Sequence, residues 1–275
     1  MSRRADRSGG ERDSGRRCCG RNLADMCGRY ATTRSATDLS AFFEAYDDTS
    51  GLEADWNVAP TDPVPVVRMS QRRDERVLDT ARWGLLPPWA TDTRGAARMI
   101  NARAETVATS KAFAPSFARR RCLVPADGWY EWVRRGPAKH AYYMTPPDGS
   151  VLAFAGLWSA WGNGPEPVLT CSVLTTAALG GIARVHDRMP LILPADRWAA
   201  WLAGGGDADE LLRPLPVATL DELEIRPVTP AVGNVRNNGP ELVARVSEVP
   251  DPDLSDSDGS VDSDRVGYAT ELTLF

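Results

Sequence analysis

The stretch CLVPADGWYEWV, residues 122–133, places two apolar and aromatic runs on either side of a turn-forming segment. Short runs rich in β-branched and aromatic residues, bounded by Pro, Asp and Gly, are typical of strands joined by turns. The stretch therefore predicts strands at 122–124 and 129–133. The same pattern recurs on both sides and predicts further strands at 64–69, 77–83, 141–145, 151–158, 168–174 and 191–193.

Helical patterns are fewer and lie around these strands. Ser35 and Asp38 resemble a capping box at the start of one helix. Its predicted apolar face comprises Leu39, Phe42, Phe43 and Tyr46. Further helices are predicted at 111–118, 195–202 and 207–213. Because no repeat or linker divides these segments, the sequence predicts a single α+β domain with a mainly antiparallel, barrel-like β-sheet and peripheral helices.

Both ends of the chain differ in composition from this central region. Residues 1–25 carry seven Arg and four acidic residues with almost no apolar pattern, and residues 247–275 carry eight acidic residues and one Arg. Such segments do not bury enough apolar surface to fold alone. We expect a disordered extension at 1–25 that is absent from the mature protein, a folded domain at 26–246 and a disordered acidic tail at 247–275.

The composition argues against several classes of protein. No apolar run approaches the roughly 18 residues of a membrane span, and the Arg-rich N-terminus lacks the apolar core of a secretory signal. We therefore expect an intracellular protein. Five Cys without a C-x-x-C pair give no disulfide framework or metal spacing. The sequence contains no P-loop, G-x-G-x-x-G or H-E-x-x-H motif.

Cys27 is the first candidate for chemistry, because patterned sequence begins there, directly after the internal residue Met26. A Cys at a chain terminus has an α-amine of pKa about 7.7–8.0 and a thiol of pKa about 8.5, so both are partly deprotonated near neutral pH. With an aldehyde, the amine forms a Schiff base and the thiol closes a five-membered thiazolidine. The alternative is a buried Cys that packs as a small apolar residue.

His186 is the second candidate, as one of two histidines in the chain. It lies in a polar turn with Asp187 and Arg188, and only a histidine transfers protons near neutral pH without a shifted pKa. The alternative is an imidazole held by Asp187 for structural reasons. The other histidine, His140, begins a predicted strand and is expected at the surface.

Glu131 is the third candidate, since strand alternation places it on the same face as Trp129, with Tyr130 and Trp132 on the other. Bulky aromatic neighbours remove water from a carboxyl group and tend to raise its pKa towards that of a general acid. The alternative is an edge-strand Glu whose side chain is in water.

Asn101, Arg103 and Glu105 form a fourth candidate group, two residues apart in sequence. An extended segment would present all three on one face, where they could orient a reacting group and hold a phosphate.

Tryptophans near arginines suggest contact with nucleic acid. The residues concerned are Trp83, Trp89, Trp129, Trp132, Arg82, Arg103, Arg119, Arg120 and Arg121. Such pairs suit stacking on unpaired bases and neutralising phosphate, although we expect at least half of these tryptophans in the core. Single-stranded nucleic acid fits better than duplex, because no helix-turn-helix or zinc-finger pattern occurs.

Eight motifs in order resemble one known family. They are Met26-Cys-Gly-Arg-Tyr30, Asn57-Val-Ala-Pro60, Trp83-Gly-Leu-Leu-Pro87, Ile100-Asn-Ala-Arg-Ala-Glu-Thr106, the stretch 122–132, Thr175-Thr-Ala177, Val185-His-Asp-Arg-Met-Pro190 and the stretch 231–237. Over residues 26–246 the chain is similar to the SRAP proteins, the SOS-response-associated peptidases or abasic-site processing proteins.

The resemblance implies that residues 26–246 bind single-stranded DNA and capture abasic sites covalently, protecting the lesion in the DNA damage response. The nucleophile would be Cys27, with Asn101 orienting its amine or thiol. Glu131 would transfer protons as the Schiff base forms and reopens, and His186 would assist opening of the sugar ring. The family is also described as thiol autopeptidases.

The resemblance also implies a set of DNA contacts. Arg103 would hold phosphate, and Trp89 and Trp132 would stack near the lesion. The remaining predicted contacts are Pro60, Lys111 and Thr175. No metal or organic cofactor is implied, and we expect a cytoplasmic, nucleoid-associated monomer whose partner is single-stranded DNA containing abasic sites.

Two questions follow from the N-terminus and from rival functions. The family mechanism needs a free α-amine on Cys27, so translation starts at Met26 or the preceding 25 residues are removed. The rival enzyme is a cysteine hydrolase, a peptidase or amidohydrolase, with Cys27 as nucleophile and His186 as base. A third possibility is a passive module that binds intact and abasic single strands alike.

Overall fold

Strands dominate the computed structural model, which describes residues 28–49, 51–162 and 167–247. The strands of these ranges are β1 (Tyr30–Thr32), β2 (Tyr46–Asp47), β3 (Asp55–Val58), β4 (Pro63–Ser70), β5 (Glu75–Trp83), β6 (Asn101–Arg103), β7 (Arg121–Ala126), β8 (Gly128–Arg135), β9 (Ala138–Thr145), β10 (Leu152–Trp161), β11 (Val168–Ala177), β12 (Arg188–Pro190) and β13 (Glu224–Val228). The segments predicted to be disordered, 1–25 and 247–275, fall almost wholly outside the described residues.

The helices are short. They are α1 (Ala36–Phe43), α2 (Ala114–Arg119), α3 (Ala195–Leu202), α4 (Ala208–Leu211) and α5 (Val217–Leu220), with 3-10 turns at Ala96–Arg98, Gly180–Arg184, Pro230–Gly233 and Pro240–Val243. The predicted cap is present, since the Ser35 hydroxyl accepts a hydrogen bond from the N–H of Asp38 at 3.1 Å. Among the helices of the described ranges, none combines the length and apolar character that a membrane span needs.

The larger sheet closes on itself. Its order is β12-β11-β10-β7-β4-β5-β2, and β11 also pairs in parallel with β5, Thr170 with Arg82 and Cys171 with Trp83. β6 pairs with β11 farther along the chain, Asn101 with Val173. The strands β11, β10, β7, β4 and β5 therefore form a ring, which confirms the prediction of a barrel-like sheet in an α+β domain.

The smaller sheet packs against the ring through aromatic side chains. Its order is β13-β9-β8-β1-β3, and every pair in it is antiparallel. The ring of Tyr30 meets Trp83 edge-on at 5.1 Å between centroids, and Trp129 meets Phe154 in the same way at 6.0 Å. The main core is thus shared by the two sheets. The helices α1 and α3 contribute to a second core, where the ring centroids of Phe43 and Trp198 lie 4.7 Å apart.

Two sequence predictions need correction. Residues 191–193 are not a strand: β12 precedes them, and Ile192 makes an isolated bridge to Phe154. Their apolar side chains are buried in the cores, so the apolar sequence at 191–193 reflects burial and not strand formation. Tyr46 is not on the helix, because α1 ends at Phe43 and the next residue, Glu44, has a left-handed φ of 50°. Tyr46 lies exposed on β2.

Candidate active site

Glu131 lies in the interior of the smaller sheet. It is on β8, the middle strand, opposite Tyr142 of β9. Only 2 % of Glu131 is exposed, and Trp129, two residues earlier, belongs to the main core. The carboxyl group is therefore surrounded by protein, as the strand alternation predicts. The alternative of an edge-strand Glu in water is excluded.

The chain enters this sheet just after Cys27. The N–H of Tyr130 donates to the carbonyl of Arg29 at 3.0 Å, and Tyr30 pairs with Trp129. Strand pairing therefore brings the residues that follow Cys27 alongside the strand that carries Glu131. Cys27 itself lies outside the described residues, so its role stays a prediction.

Arg29 and Asn57 anchor that entering segment, a contact that the sequence analysis missed. Arg29 Nη1 donates to Asn57 Oδ1 at 2.6 Å and to the carbonyl of Val232 at 3.1 Å. Asn57 Nδ2 in turn donates to the carbonyls of Asn234 at 3.0 Å and Asn237 at 2.8 Å. Burial lowers the pKa of Arg29. The segment after Cys27 is thereby joined to the C-terminal turns; the available signal was that these residues all fall in the quoted motifs.

Asn101 begins β6 and is buried at 8 % exposure, whereas Arg103 at the end of the strand is exposed. The backbone turns there, because the N–H of Thr106 donates to the carbonyl of Arg103 at 3.1 Å. The prediction of one extended face shared with Glu105 is therefore wrong beyond Arg103. The N–H of the buried Ala104 donates to the carbonyl of Thr175 at 2.9 Å, which directs the chain into this turn.

His186 follows the 3-10 turn Gly180–Arg184 and precedes β12. Its side chain is 14 % exposed, and Nδ1 lies 3.3 Å from Asp187 Oδ1. The backbone N–H of Arg188 donates to the same Nδ1 at 3.0 Å. Because Nδ1 accepts this bond, the peptide of Arg188 orients the imidazole, and the Asp187 carboxylate only lies nearby.

Arg188 is a site residue to which the sequence analysis assigned no role. Its Nη1 and Nη2 donate to the two carboxylate oxygens of Glu105 at 2.6 and 2.9 Å. Nη2 also donates to the carbonyl of Thr175 at 2.6 Å and lies 3.2 Å from the Thr175 hydroxyl. We call these three residues the Glu105–Arg188 clamp. It joins the turn after β6 to the turn of His186.

The predicted DNA contacts occupy different environments. Trp89 is 59 % exposed, Lys111 is exposed, and Pro60 and Trp132 are partly buried. Thr175 is buried and supports Arg188, so it offers almost no surface of its own. These DNA contacts stay predictions.

Two of the four tryptophans near arginines lie in the core, as expected, and one of the arginines is buried as well. Trp83 and Trp129 are buried in the main core. Arg121 is buried too, and donates to the carbonyls of Trp201 at 2.5 Å and Gly205 at 2.7 Å near the end of α3. These three side chains do not face solvent.

The cysteines of the described ranges are poor nucleophiles. Cys122 and Cys171 are buried in the core, and burial raises the pKa of both thiols. Among the residues that the structure describes, no group of three or more His, Cys, Asp or Glu side chains is arranged to hold a metal ion.

Comparison with known sequences identifies the class of protein. A sequence model of the family described as SOS response associated peptidase (SRAP) matches residues 26–235. The chain belongs to this family.

Its relatives include three proteins named abasic site processing proteins. YoqW of Bacillus subtilis is 34 % identical over 224 residues, 79 % of this chain and 99 % of YoqW. YedK of Escherichia coli is 32 % identical over 230 residues, 80 % of this chain and 100 % of YedK. HMCES of Xenopus tropicalis is 30 % identical over 269 residues, 80 % of this chain and 78 % of HMCES.

A solved structure shows the same fold. The crystal structure of a protein from Bacteroides thetaiotaomicron superimposes with a TM-score of 0.69 at 23 % identity, covering 80 % of this chain and 100 % of the other.

Proposed function

We propose that this protein processes abasic sites by binding single-stranded DNA and forming a covalent crosslink through an N-terminal Cys27. The observation that carries the proposal is the buried Glu131 on the strand that pairs with the segment following Cys27. A buried proton-transfer group beside an aminothiol suits imine chemistry. The names of the three relatives support an abasic site as the substrate.

The reaction balances without an oxidant or a reductant. Opening of the sugar hemiacetal moves the anomeric hydroxyl proton to the ring oxygen, with His186 as the relay, and leaves an aldehyde. The Cys27 α-amine adds to the aldehyde carbon. Glu131 protonates the departing hydroxyl and takes back the proton that the nitrogen releases, so water leaves and an imine forms. The thiol then adds to the imine carbon, its proton moves to nitrogen, and a thiazolidine ring closes. Asn101 orients the amine or thiol.

DNA would bind through exposed cationic and aromatic side chains. Arg103 supplies a cation for phosphate, and Trp89 supplies a ring for an unpaired base. The contacts assigned to Trp132, Pro60 and Lys111 belong to the same proposal, whereas the buried Thr175 contributes through Arg188. We expect the protein to act as a monomer on DNA in the cytoplasm, during the SOS response.

The N-terminus decides whether this chemistry is available. An amide nitrogen at Cys27 forms no imine, because its lone pair is engaged in amide resonance. Active protein therefore begins at Cys27, either through initiation at Met26 followed by methionine removal or through cleavage between Met26 and Cys27. The family description as a peptidase supports the cleavage route.

That description also favours a second candidate, a cysteine hydrolase with Cys27 as nucleophile and His186 as base. An amide-cleaving thiol needs no free α-amine. Acetylating the amine while sparing the thiol would therefore abolish aldehyde capture but leave hydrolysis of an activated ester intact.

The deciding experiment compares proteins expressed from Met1 and from Met26, each incubated with single-stranded DNA that bears one abasic site. Denaturing electrophoresis and intact mass would detect the crosslink. We expect a heat-stable product, one water lighter than protein plus DNA, from chains that begin at Cys27. Intact DNA and Cys27→Ala protein serve as controls without product. Equal stable yield from Cys27→Ala, or from an unprocessed Met1 chain, would rule out the thiazolidine.

A further inference from the structure

The Glu105–Arg188 clamp connects two segments of the site that are 83 residues apart in sequence. On one side, Glu105 lies in the turn that directly follows β6, the strand of Asn101. On the other, Arg188 is the first residue of β12 and lies two residues after His186. The clamp therefore holds the strand of Asn101 and the turn of His186 in one arrangement.

The clamp also reaches the imidazole through the backbone. The N–H of Arg188 donates to His186 Nδ1 at 3.0 Å, while its side chain is fixed by Glu105 and by the carbonyl of Thr175. Arg188 thus contacts His186 through its peptide N–H, and Glu105 and Thr175 through its side chain. The bonds of the guanidinium to Glu105 and Thr175 add to the pairing of Arg188 with Ala177 in holding the first residue of β12 on β11, and the N–H that orients His186 belongs to that residue.

The charge of Glu105 makes these bonds strong. Hydrogen bonds from Arg188 lower the pKa of Glu105, so its carboxylate is ionised at neutral pH. Two parallel bonds between a guanidinium and a carboxylate fix distance and angle together. The Arg188 side chain is 15 % exposed and Glu105 is 49 % exposed, so the clamp lies at the rim of the protein.

We infer that Glu105 is a positioning residue for the step that His186 serves: through Arg188 it sets the place of the imidazole relative to Asn101 and the sugar. The inference rests on the proposed function. Glu105 touches neither the sugar nor Cys27 in this scheme. Its carboxylate also interacts with the charge of Arg103, so the test is made at saturating DNA, where an effect on phosphate binding does not change the rate.

The test uses two DNA substrates with protein expressed from Met26. One carries an abasic site, whose ring must open, and the other carries an acyclic aldehyde without the hydroxyl that closes the ring. At saturating DNA, we expect Glu105→Gln to slow crosslinking to the abasic site about 10- to 100-fold. The rate with the acyclic aldehyde should not change. Glu224→Gln is the matched control, because Glu224 is also paired with arginines, Arg226 and Arg245, but on β13.

A double-mutant cycle sharpens the result. In a His186→Ala background, Glu105→Gln should have no further effect, because both changes remove the same contribution. Arg188→Lys keeps the charge but loses the two-pronged contact and should show the same substrate pattern, which covers the case of a Glu105→Gln protein that does not fold.

Three outcomes would overturn the inference. They are a wild-type rate in both clamp variants, equal slowing with both substrates, and full additivity with His186→Ala. If the wild-type protein crosslinks to neither DNA, the proposed function itself fails. If the wild-type protein crosslinks but the variants give one of the three outcomes above, only the inference about Glu105 fails.

Discussion

The two proton-transfer candidates are held in place by different forces. Glu131 lies on the middle strand of a sheet, where backbone hydrogen bonds and a shared core fix the main chain. His186 lies in a turn at the rim, where the N–H of Arg188 fixes the imidazole and the ion pair of Arg188 with Glu105 lies beside it. Sheet geometry depends little on pH, whereas ion pairs at a surface depend on both pH and salt. Each half of the site should therefore be disturbed by different conditions.

The largest effect should come from removing the sheet-held acid. Glu131→Gln keeps the side-chain volume but removes proton transfer, which typically contributes about 10²–10⁴-fold in rate. We expect crosslinking to slow by about that factor with both the abasic and the acyclic aldehyde. Affinity for single-stranded DNA and thermal unfolding are the controls and should stay near wild type. Unchanged rates between pH 5 and 8 would reduce Glu131 to a structural residue.

The second-largest effect should be a loss of folding stability at alkaline pH. Burial raises the pKa of Tyr30, Tyr130 and Tyr143. A raised folded-state pKa gives stability that is complete below the unfolded pKa of about 10 and is lost as pH rises above it. The free energy of unfolding should fall by about 1.4 kcal/mol per tyrosine for each pH unit above 10. Denaturant titrations at several pH values would measure the slope.

Single variants show which residues cause this fall in unfolding free energy with pH. Tyr130→Phe should lower the slope by the share of one group, about one fifth, because the buried thiols of Cys122 and Cys171 contribute to it beside the three tyrosines. Tyr46→Phe should leave it unchanged, because Tyr46 is exposed on β2. A flat profile up to pH 11 in the wild-type protein would contradict the prediction.

A smaller effect is expected where the entering segment is anchored. Asn57→Ala removes the acceptor of the partly buried Arg29 and the donor to two carbonyls. Because a partly buried cation then loses an acceptor, the free energy of unfolding should fall by about 1–3 kcal/mol. Thr49→Ala is the comparison, since it removes an exposed hydrogen bond to Asp47. Equal stability of the two variants would show that the anchor contributes nothing.

The smallest effect should come from acid acting on the clamp. The pKa of Glu105 is lowered by Arg188, so its stabilisation is present above the unfolded value of about 4.3 and is lost as pH falls through the folded value. Because Glu105 is half exposed, the pair should contribute only about 0.2–1 kcal/mol. The difference in unfolding free energy between wild type and Glu105→Gln should shrink below pH 4 and at high salt. A difference that grows in acid would contradict this sign.

Local signals in the sequence predict much of the fold. The Ser35 cap involves residues three positions apart, and α3 occupies the predicted residues 195–202. The longer strands stand out through their own composition. Glu131 was placed correctly beside Trp129, because alternation along one strand needs no knowledge of the rest of the chain.

What the sequence does not predict depends on distant partners. β6 and β12 have three residues each, too few for a pattern, and both exist because β11 pairs with them. Two contacts join segments about 80 residues apart. Arg188 donates hydrogen bonds to Glu105, and Arg121 donates one to the carbonyl of Trp201 in α3. Charged residues that meet across such distances look like ordinary surface residues in the sequence.

The many partners of β11 bear on how the protein folds as well as on its final shape. β11 pairs with β5, β6, β10 and β12, and the N–H of Leu86 donates to the Thr170 hydroxyl, 84 residues away. Contacts between residues so distant in sequence require a large loss of chain entropy before favourable interactions form, so such topologies fold slowly. During synthesis, strands β1 to β10 emerge before β11 and remain without their closing partner. Because β6 and β12 both pair with β11, a nascent chain that ends before residue 190 lacks the strands that bring Asn101 and the turn of His186 together.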